Sequence, residues 1–410
     1  MTEPATEWTN WVGNRRCTPV QRTRPTSVTQ VRAAVLEARD AGLPVRVAAS
    51  GHSYTDICTT PGTLVELAGF AGITDIDFTR HRVTLRPGTR IEHIGDPLWE
   101  AGLSLHNQGD IEAQQIAGAV STGTHGSGLG LQNMSAAITA LELVTADATV
   151  LRLDESTPDA LAAARVSVGM LGVITSLTLD VAPSFKIVET VHHWAYDELI
   201  DRWEHGFADH RHFSFFWCPT STANELYDLE CPSGLDMRDM ARVKICDPAP
   251  VDAVDDMAVI GSRTGRPYRI YPQFCAPNLH ELEYMLPFER GLEAFDVVRS
   301  IVLADSEYGV FPVEVRATAG DDAYLSPNYG TDSLVISVSG QPGRHYEPFL
   351  RRIHNALSYF DARPHWGKLH YFTREELEYV LPRHPDFVRV RRELDPGGMF
   401  LNDSLRALFA

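Results

Sequence analysis

Glu314 and Arg316 stand two residues apart in Phe311-Pro312-Val313-Glu314-Val315-Arg316. On a strand, that spacing puts the carboxylate and the guanidinium on one face, with Val313 and Val315 on the other. An exposed pair of this kind is common and contributes little. A buried pair needs partners and tends to mark a site. The stretch 334–339 reads as the partner strand. Lys368 lies in the turn Arg363-Pro364-His365-Trp366-Gly367-Lys368-Leu369-His370. A lysine is ordinarily a solvated surface group, but among so much ring surface it can approach a ligand. His365 and His370 lack Asp, Glu or Cys at ligand spacing and a His-x-x-x-His helix, so no metal is expected. They read as core or ring-packing histidines, and so do His106 and His125.

Other residues suit holding a group rather than transforming one. The apolar run 44–49 ends in Ala48-Ala49-Ser50-Gly51-His52-Ser53. Small residues let the chain approach a bound group and leave N–H groups free, as a pyrophosphate requires. His52 beside such a turn can be a base, a metal ligand or an attachment point. A plain strand-ending turn with an exposed histidine accounts for the same residues. The densest glycine region follows at Gly109-Asp110-Ile111 and Ile116-Ala117-Gly118-Ala119-Val120-Ser121-Thr122-Gly123-Thr124-His125-Gly126. A chain this rich in small and hydroxylated residues can lie flat against an extended ligand, or it can be a tight turn between core elements. There is no Gly-x-Gly-x-x-Gly at a strand end and no Gly-Lys-Ser/Thr, so neither the dinucleotide fingerprint nor the P-loop is present. No serine sits in a Gly-x-Ser-x-Gly elbow and no cysteine has a nucleophile context, which ranks hydrolases low.

Helices and strands must place these residues. Ser27-Val28-Thr29-Gln30 fits a capping box, Val28, Val31, Val35 and Ala38 follow at helical spacing, and Gly42 stops the helix. Strands are expected at 44–49, 63–67, 73–78 and 82–85, a helix at 91–101, a hairpin from 137–143 and 149–153, a helix at 159–168 and a strand at 173–181. Beyond residue 183, aromatics and histidines cluster over 192–217. Residues 219–265 look irregular, and 282–297 looks like an amphipathic helix. Residues 349–360 form another helix, and the turn Asp395-Pro396-Gly397-Gly398 precedes a last short one.

The chain has 410 residues, 44% hydrophobic and 22% charged, enough for two or three domains. A net charge of -18 argues against non-specific nucleic-acid binding. No stretch suits a membrane span, and residues 1–16 lack an apolar signal core. The six cysteines form no Cys-x-x-Cys pair and are too sparse for a disulfide framework. A cytoplasmic protein with reduced thiols is expected.

Taken in order, Ser50-Gly51-His52-Ser53, the 116–126 run, Gly169-Met170-Leu171-Gly172-Val173-Ile174, Pro312-Val313-Glu314-Val315-Arg316, His365-Trp366-Gly367-Lys368 and Asp395-Pro396 … Phe400 … Asn402 resemble the flavin-linked oxidases of the vanillyl-alcohol oxidase superfamily. The likeness is to the aldonolactone oxidoreductase and alditol oxidase branch, including sugar-lactone oxidases, and spans about residues 15–405. It implies an α+β fold: a two-subdomain FAD-binding domain over 1–183, an α+β substrate (cap) domain over 184–370, and a C-terminal segment, 371–410, that returns to the FAD domain. It implies that His52 carries FAD covalently and that Ala48, Ala49, Ser50, Gly51, His52 and Ser53 bind the pyrophosphate. Ser121, Thr122, Gly123, His125, Gly126, Gly172, Val173, Ile174 and Asn402 would line the remaining cofactor. Glu314, Arg316 and Lys368 would be catalytic at the flavin ring, with hydride passing from an alcohol carbon of a polyol or sugar lactone to flavin N5. Ser339 aligns with a substrate-contacting threonine. Gly109 matches a position where a small residue admits oxygen, which implies an oxidase that makes hydrogen peroxide. Asp110 stands where alditol oxidases have serine; a carboxylate there accepts hydrogen bonds from hydroxyls and repels anions. A dehydrogenase with another acceptor, a tailoring oxidase of a specialised metabolite, and a flavin-free binding protein are the alternatives.

Overall fold

The computed structural model describes residues 6–273 and 278–410. Cys275 and residues 1–5 lie outside the described residues. Helix Val28–Asp40 begins at Ser27, whose side chain accepts the Gln30 N–H, and buries Val31, Ala34, Val35 and Ala38. The 3.6-residue stripe is what drives this helix onto its sheet. It connects two strands of a three-stranded parallel sheet, in which Thr63–Glu66 lies between Gln21–Thr23 and Val45–Ala48. Parallel strands need such a crossover.

A second, antiparallel sheet has five strands in the order Val150–Asp154, Ile138–Val144, Val173–Asp180, Arg82–Leu85, Ile73–Asp77. Gly172 leads into its central strand at φ +145, where an added Cβ would meet the Val144 carbonyl oxygen at 2.5 Å. No side chain fits there. Residues 91–101 form a short 3-10 turn, Ile91–His93, and the helix Gly95–Glu100.

The third sheet is antiparallel with eight strands in the order Thr264–Gly265, Lys186–Ala195, Met240–Ala249, His212–Cys218, Val313–Thr318, Ser333–Gly340, His280–Pro287, Arg363–Pro364. The expected pairing of the Glu314 strand with the 334–339 stretch is present, with Glu314 opposite Ser337. Helices Trp203–Asp209, Gly291–Ala304 and Glu347–Ser358 pack on this sheet. The Phe295 ring meets Trp203, Phe215 and Trp217 there. With period two, the apolar residues Val313, Val315 and Ala317 are buried while Glu314 and Arg316 take the other face.

Two expectations fail in this sheet. The stretch 282–297 is not one helix: His280–Pro287 is a strand, and the helix starts only at Gly291. Leu282, Tyr284 and Leu286 alternate with Glu281 and Glu283, a strand period in which the acids mimic a polar helix face. The stretch 219–265 is not irregular throughout, because Met240–Ala249 pairs with Lys186–Ala195 over ten residues. Its Arg242 and Lys244 are buried, and burial of charged residues hides a strand from a hydropathy reading.

The last part of the chain returns to the first sheets. Helix His384–Leu394 packs on helix Pro158–Arg165, and Asp403–Phe409 on the turn Asp56–Cys58. Arg46, 2% exposed, ties these parts together. It donates to the carbonyls of Ile57 at 2.6 Å, Val168 at 2.7 Å, Gly169 at 3.1 Å and Phe400 at 2.5 Å. No helix of the described residues is long and apolar enough to cross a membrane.

Candidate active site

Two adjoining cavities share Gln114 in their walls. The first, open to solvent, spans about 720 Å³ and is lined by many small residues, with Arg46, His52, Gln114 and Gln115 and apolar side chains such as Leu67 among them. Ala49, Ser50, Gly51, His52, Ser53, Ser121, Thr122, Gly172 and Ile174 all border it, so the structure brings these predicted residues together. Gly118 faces Ala49 so closely that an added Cβ would lie 2.7 Å from the alanine methyl. Gly51 has φ +70. Among the described residues, the N–H groups of Ser50, Gly51, His52 and Ser53 donate to no protein acceptor. The Ser50 hydroxyl fixes the turn instead, donating to the Ala113 carbonyl at 2.8 Å and accepting the Gln115 N–H at 3.0 Å. Trp11 stacks on His52 at 4.8 Å between centroids. Burial, then the nearby Lys368 and Arg90, lowers the imidazole to about 4, so its ring is neutral near pH 7 and keeps a free lone pair.

The second cavity, also open to solvent, spans about 650 Å³ and is lined mainly by titratable side chains, with Phe216 and Tyr227 among them. Register explains the row they form. Glu314 lies opposite Ser337, and Ser337 opposite Glu283, on three neighbouring strands. Arg316 is 6% exposed. Its Nη1 donates to Asp110 at 2.7 Å and its Nη2 to Glu283 at 2.5 Å, while Glu314 lies 3.5 Å away. Ser337 Oγ donates to Glu283 at 2.6 Å. Lys368 pairs with Glu281. The Lys368 turn is tied to the His52 loop, since the Tyr54 N–H donates to the Gly367 carbonyl at 2.8 Å and Thr55 Oγ1 to that of Trp366 at 3.2 Å.

The carboxyls of this cavity are pushed in opposite directions. Burial favours the neutral form of both Glu283 and Glu314. Arg316 and His125 outweigh it at Glu283, which is held well below the usual carboxylate range. At Glu314, burial wins over Arg316 and is reinforced by Asp110, Glu281 and Glu283, raising the carboxyl to about 8. Burial would lower the Lys368 ammonium, but Glu281 and Glu283 more than offset this and hold it charged.

Some predicted residues fall elsewhere. Ala48 packs with Trp8 and Leu64 behind the first cavity, and Val173 is buried in its strand. Gly123 faces Pro327. Gly126 abuts Asn107 and Gln108, where an added Cβ would come within 2.3 Å of Asn107 Oδ1. Asn402 borders neither cavity. Its amide donates to the carbonyls of Asp56 at 2.6 Å and Thr59 at 2.9 Å, and its oxygen caps the last helix through Leu405. Ser339 sits behind Tyr227, its hydroxyl 2.8 Å from the tyrosine oxygen. Gly109 and Asp110 border the second cavity.

His125 and His365 are buried and pack edge to face at 5.7 Å between centroids, but they do more than pack: both line the second cavity, and His125 Nε2 lies 3.1 Å from Glu283 Oε1. His370 does pack on Trp366, and His106 pairs with Asp180 at 2.8 Å outside the cavities. Sequence spacing could not show that His125, Glu283 and His365 bring ligand-type atoms within 4.8 Å of one another. Those atoms are engaged with protein: Glu283 as described, and His365 Nδ1 accepting the Gly367 N–H at 3.0 Å. Glu281 and Glu283 are the chief residues missed from sequence. Their strict alternation with Leu282 and Tyr284 was the available signal.

Residues 19–154 match the FAD binding domain family, and residues 256–408 match the family described as D-arabinono-1,4-lactone oxidase. The chain is 34% identical to the L-gulono-1,4-lactone dehydrogenase of Mycobacterium tuberculosis, over 97% of this chain and 98% of that one. It is 32% identical to an alditol oxidase of a Streptomyces species, over 98% and 99% of the two chains. The chain belongs to the aldonolactone oxidoreductase and alditol oxidase branch of the FAD-linked vanillyl-alcohol oxidase superfamily. L-gulonolactone oxidase of Mus musculus is 29% identical over 98% of both chains. A solvent-stable cholesterol oxidase shares the fold, with a TM-score of 0.82 at 15% identity over 99% of this chain and 98% of that one. As a member of this branch the chain is an oxidoreductase that binds FAD. The first cavity fits that cofactor: its turn offers free N–H groups to phosphate oxygens, and its glycines let backbone close on a long flat ligand. Gln115 Oε1 and Thr124 Oγ1 are buried beside the cavities without a protein partner, as groups awaiting a polar ligand are.

Proposed function

We propose that the protein oxidises an alcohol carbon of a sugar-derived substrate, an aldono-1,4-lactone or an alditol, in the second cavity, with FAD tethered at His52 and oxygen as final acceptor. The observation that carries this reading is the row Glu314, Arg316 and Lys368 on one cavity that adjoins the cavity of His52. FAD supplies the two-electron acceptor for the hydride that leaves the substrate carbon. The chain's own residues manage the proton and the charge. Glu314 is the carboxyl nearest neutrality in its titration, so it is the group suited to take the hydroxyl proton. Arg316 and Lys368 are fixed cations that stabilise negative charge developing beside the substrate. Asp110, held by Arg316, accepts from substrate hydroxyls and disfavours carboxylate-bearing sugars. The neutral ring of His52, held under Trp11, offers a nitrogen lone pair for attachment.

Gly109 supports the oxygen assignment, and its surroundings refine it. A Cβ there would lie 2.8 Å from Thr124 Cγ2, so even one methyl closes this wall of the cavity. The mycobacterial relative is named a dehydrogenase, which favours testing a second reading in which another acceptor replaces oxygen. The test is direct. The purified protein is run on a denaturing gel under ultraviolet light, and peroxide is followed with a panel of aldonolactones and alditols. A fluorescent band that disappears in His52→Ala upholds the tether. Reduction by substrate without peroxide, but with dye turnover, replaces the oxidase by the dehydrogenase. No reduction by any lactone or alditol overturns the substrate class.

A further inference from the structure

His125 faces two acceptors. Its Nδ1 lies 2.8 Å from the Gly126 carbonyl oxygen and its Nε2 lies 3.1 Å from Glu283 Oε1. A carbonyl oxygen only accepts, so Nδ1 carries hydrogen. A neutral imidazole has a single N–H. If His125 were neutral, bare Nε2 would point its lone pair at a carboxylate oxygen in a site where His125 is 3% exposed and Glu283 1%. A proton therefore lies between Nε2 and Oε1.

The neighbours decide its side. Glu283 Oε2 already accepts from Arg316 Nη2 and Ser337 Oγ, and donors on a carboxylate favour its ionised form. The proton then belongs to His125. The groups facing the pair are Arg316 and Glu314 from strand Val313–Thr318, Ser337 from Ser333–Gly340, Glu281 from the same strand as Glu283, and His365 and Lys368 from the turn beyond. Asp110, Glu281, Glu283 and Glu314 bring negative charge against Arg316 and Lys368. An imidazolium at His125 cancels a further one, which leaves a single negative charge to be balanced, as burial of so many charges demands. Glu314, the carboxyl raised by burial, is the one that exchanges its proton.

We propose that Glu283 and His125 form a buried carboxylate–imidazolium pair, and that Glu283 is the positioning residue that holds Arg316 in place over the cavity. This rests on the reading that Arg316 serves the reaction. The pair also joins the two halves of the site, because His125 belongs to the loop after helix Ile116–Ser121 and Glu283 to the eight-stranded sheet. Glu283 borders the cavity, but both its oxygens are engaged, by His125 on one side and by Arg316 and Ser337 on the other, so it acts through the guanidinium.

Glu283→Gln tests the pair with little change of shape. The amide oxygen can still accept from Arg316 and Ser337, and its NH2 can donate to Nε2 of a neutral His125. The holoenzyme is labelled with 15N-histidine, and the His125 signal is assigned by its loss in His125→Gln. Both ring nitrogens of wild-type His125 are expected to carry hydrogen at pH 7, and only Nδ1 in Glu283→Gln. Anaerobic flavin reduction by a lactone or alditol that the wild type oxidises is expected to slow by roughly 10- to 100-fold, with KM nearly unchanged. Glu283→Asp should recover part of the rate. A wild-type His125 with a single N–H overturns the pair, and a reduction rate that Glu283→Gln leaves unchanged overturns the positioning role of Glu283. Should no such substrate reduce the wild type, the functional reading fails, and the wild-type spectrum still decides the pair.

Discussion

The two cavities are made of different material. The first is rich in glycine, alanine and serine, closed by contacts such as Gly118 against Ala49. The second is a set of ionised side chains in which Arg316 alone meets Asp110, Glu283 and Glu314. Binding by free N–H groups and shape needs little side-chain charge, and Arg46 is the one charged side chain in that wall among the described residues. Chemistry on an alcohol needs charge that is fixed before the reaction begins. Arg316 and Lys368 are therefore each held by carboxylates in the second cavity, and removing one partner leaves a buried charge exposed to a low dielectric. Substitutions should divide the same way: those in the first region act on the cofactor, those in the second on turnover.

The largest effect is expected at Arg316. Arg316→Met should lower turnover by roughly 1000-fold, because it removes a transition-state cation and strands several carboxylates. FAD content, read from the visible spectrum of the purified protein, should stay near that of the wild type. Loss of FAD in this variant would break the division between the two regions. Next comes the pH profile. Glu314 titrates at about 8 and takes a proton only as carboxylate, so reduction by substrate should rise as pH increases through that value. Glu314→Gln should be slower by roughly 100-fold and lose this limb. A limb that persists in the variant would move the proton acceptor elsewhere. The smallest effect is expected at the boundary of the regions. Gly109→Ala should slow reoxidation by air several-fold more than it slows anaerobic reduction. Adding Thr124→Ser relieves the 2.8 Å contact and should restore part of the oxygen rate. Equal slowing of both half-reactions would sharpen the comparison by assigning Gly109 to substrate rather than oxygen.

How much of each region could be read from sequence follows from the same difference. The first cavity is written in runs of neighbouring residues: Ser50-Gly51-His52-Ser53 makes one wall and Ile116–Ser121 with Thr122 another. Local composition reveals such a wall. The second cavity is written across strands. Glu314 and Arg316 were legible as one face of one strand, yet Glu283 and Ser337 join them only through register. Register depends on long-range pairing that no window of sequence contains. The ion-pair partner of His125 was hidden for the same reason, lying 158 residues away. Asn402 shows the reverse error. It stands at the end of a chain segment that resembles the family's, and its amide is occupied in holding the Asp56 turn and capping a helix.

Arg46 carries a consequence for how the protein comes into being. Its guanidinium is buried against carbonyls alone, one of them on Phe400, 354 residues downstream. A nascent chain that has emitted the whole cofactor-binding half still lacks that acceptor, and a buried guanidinium donor without an acceptor is costly. The floor under the His52 turn therefore closes only when synthesis is nearly complete. Flavin capture is expected late in biogenesis, and residues 1–183 expressed alone are expected to hold FAD less well than the full chain.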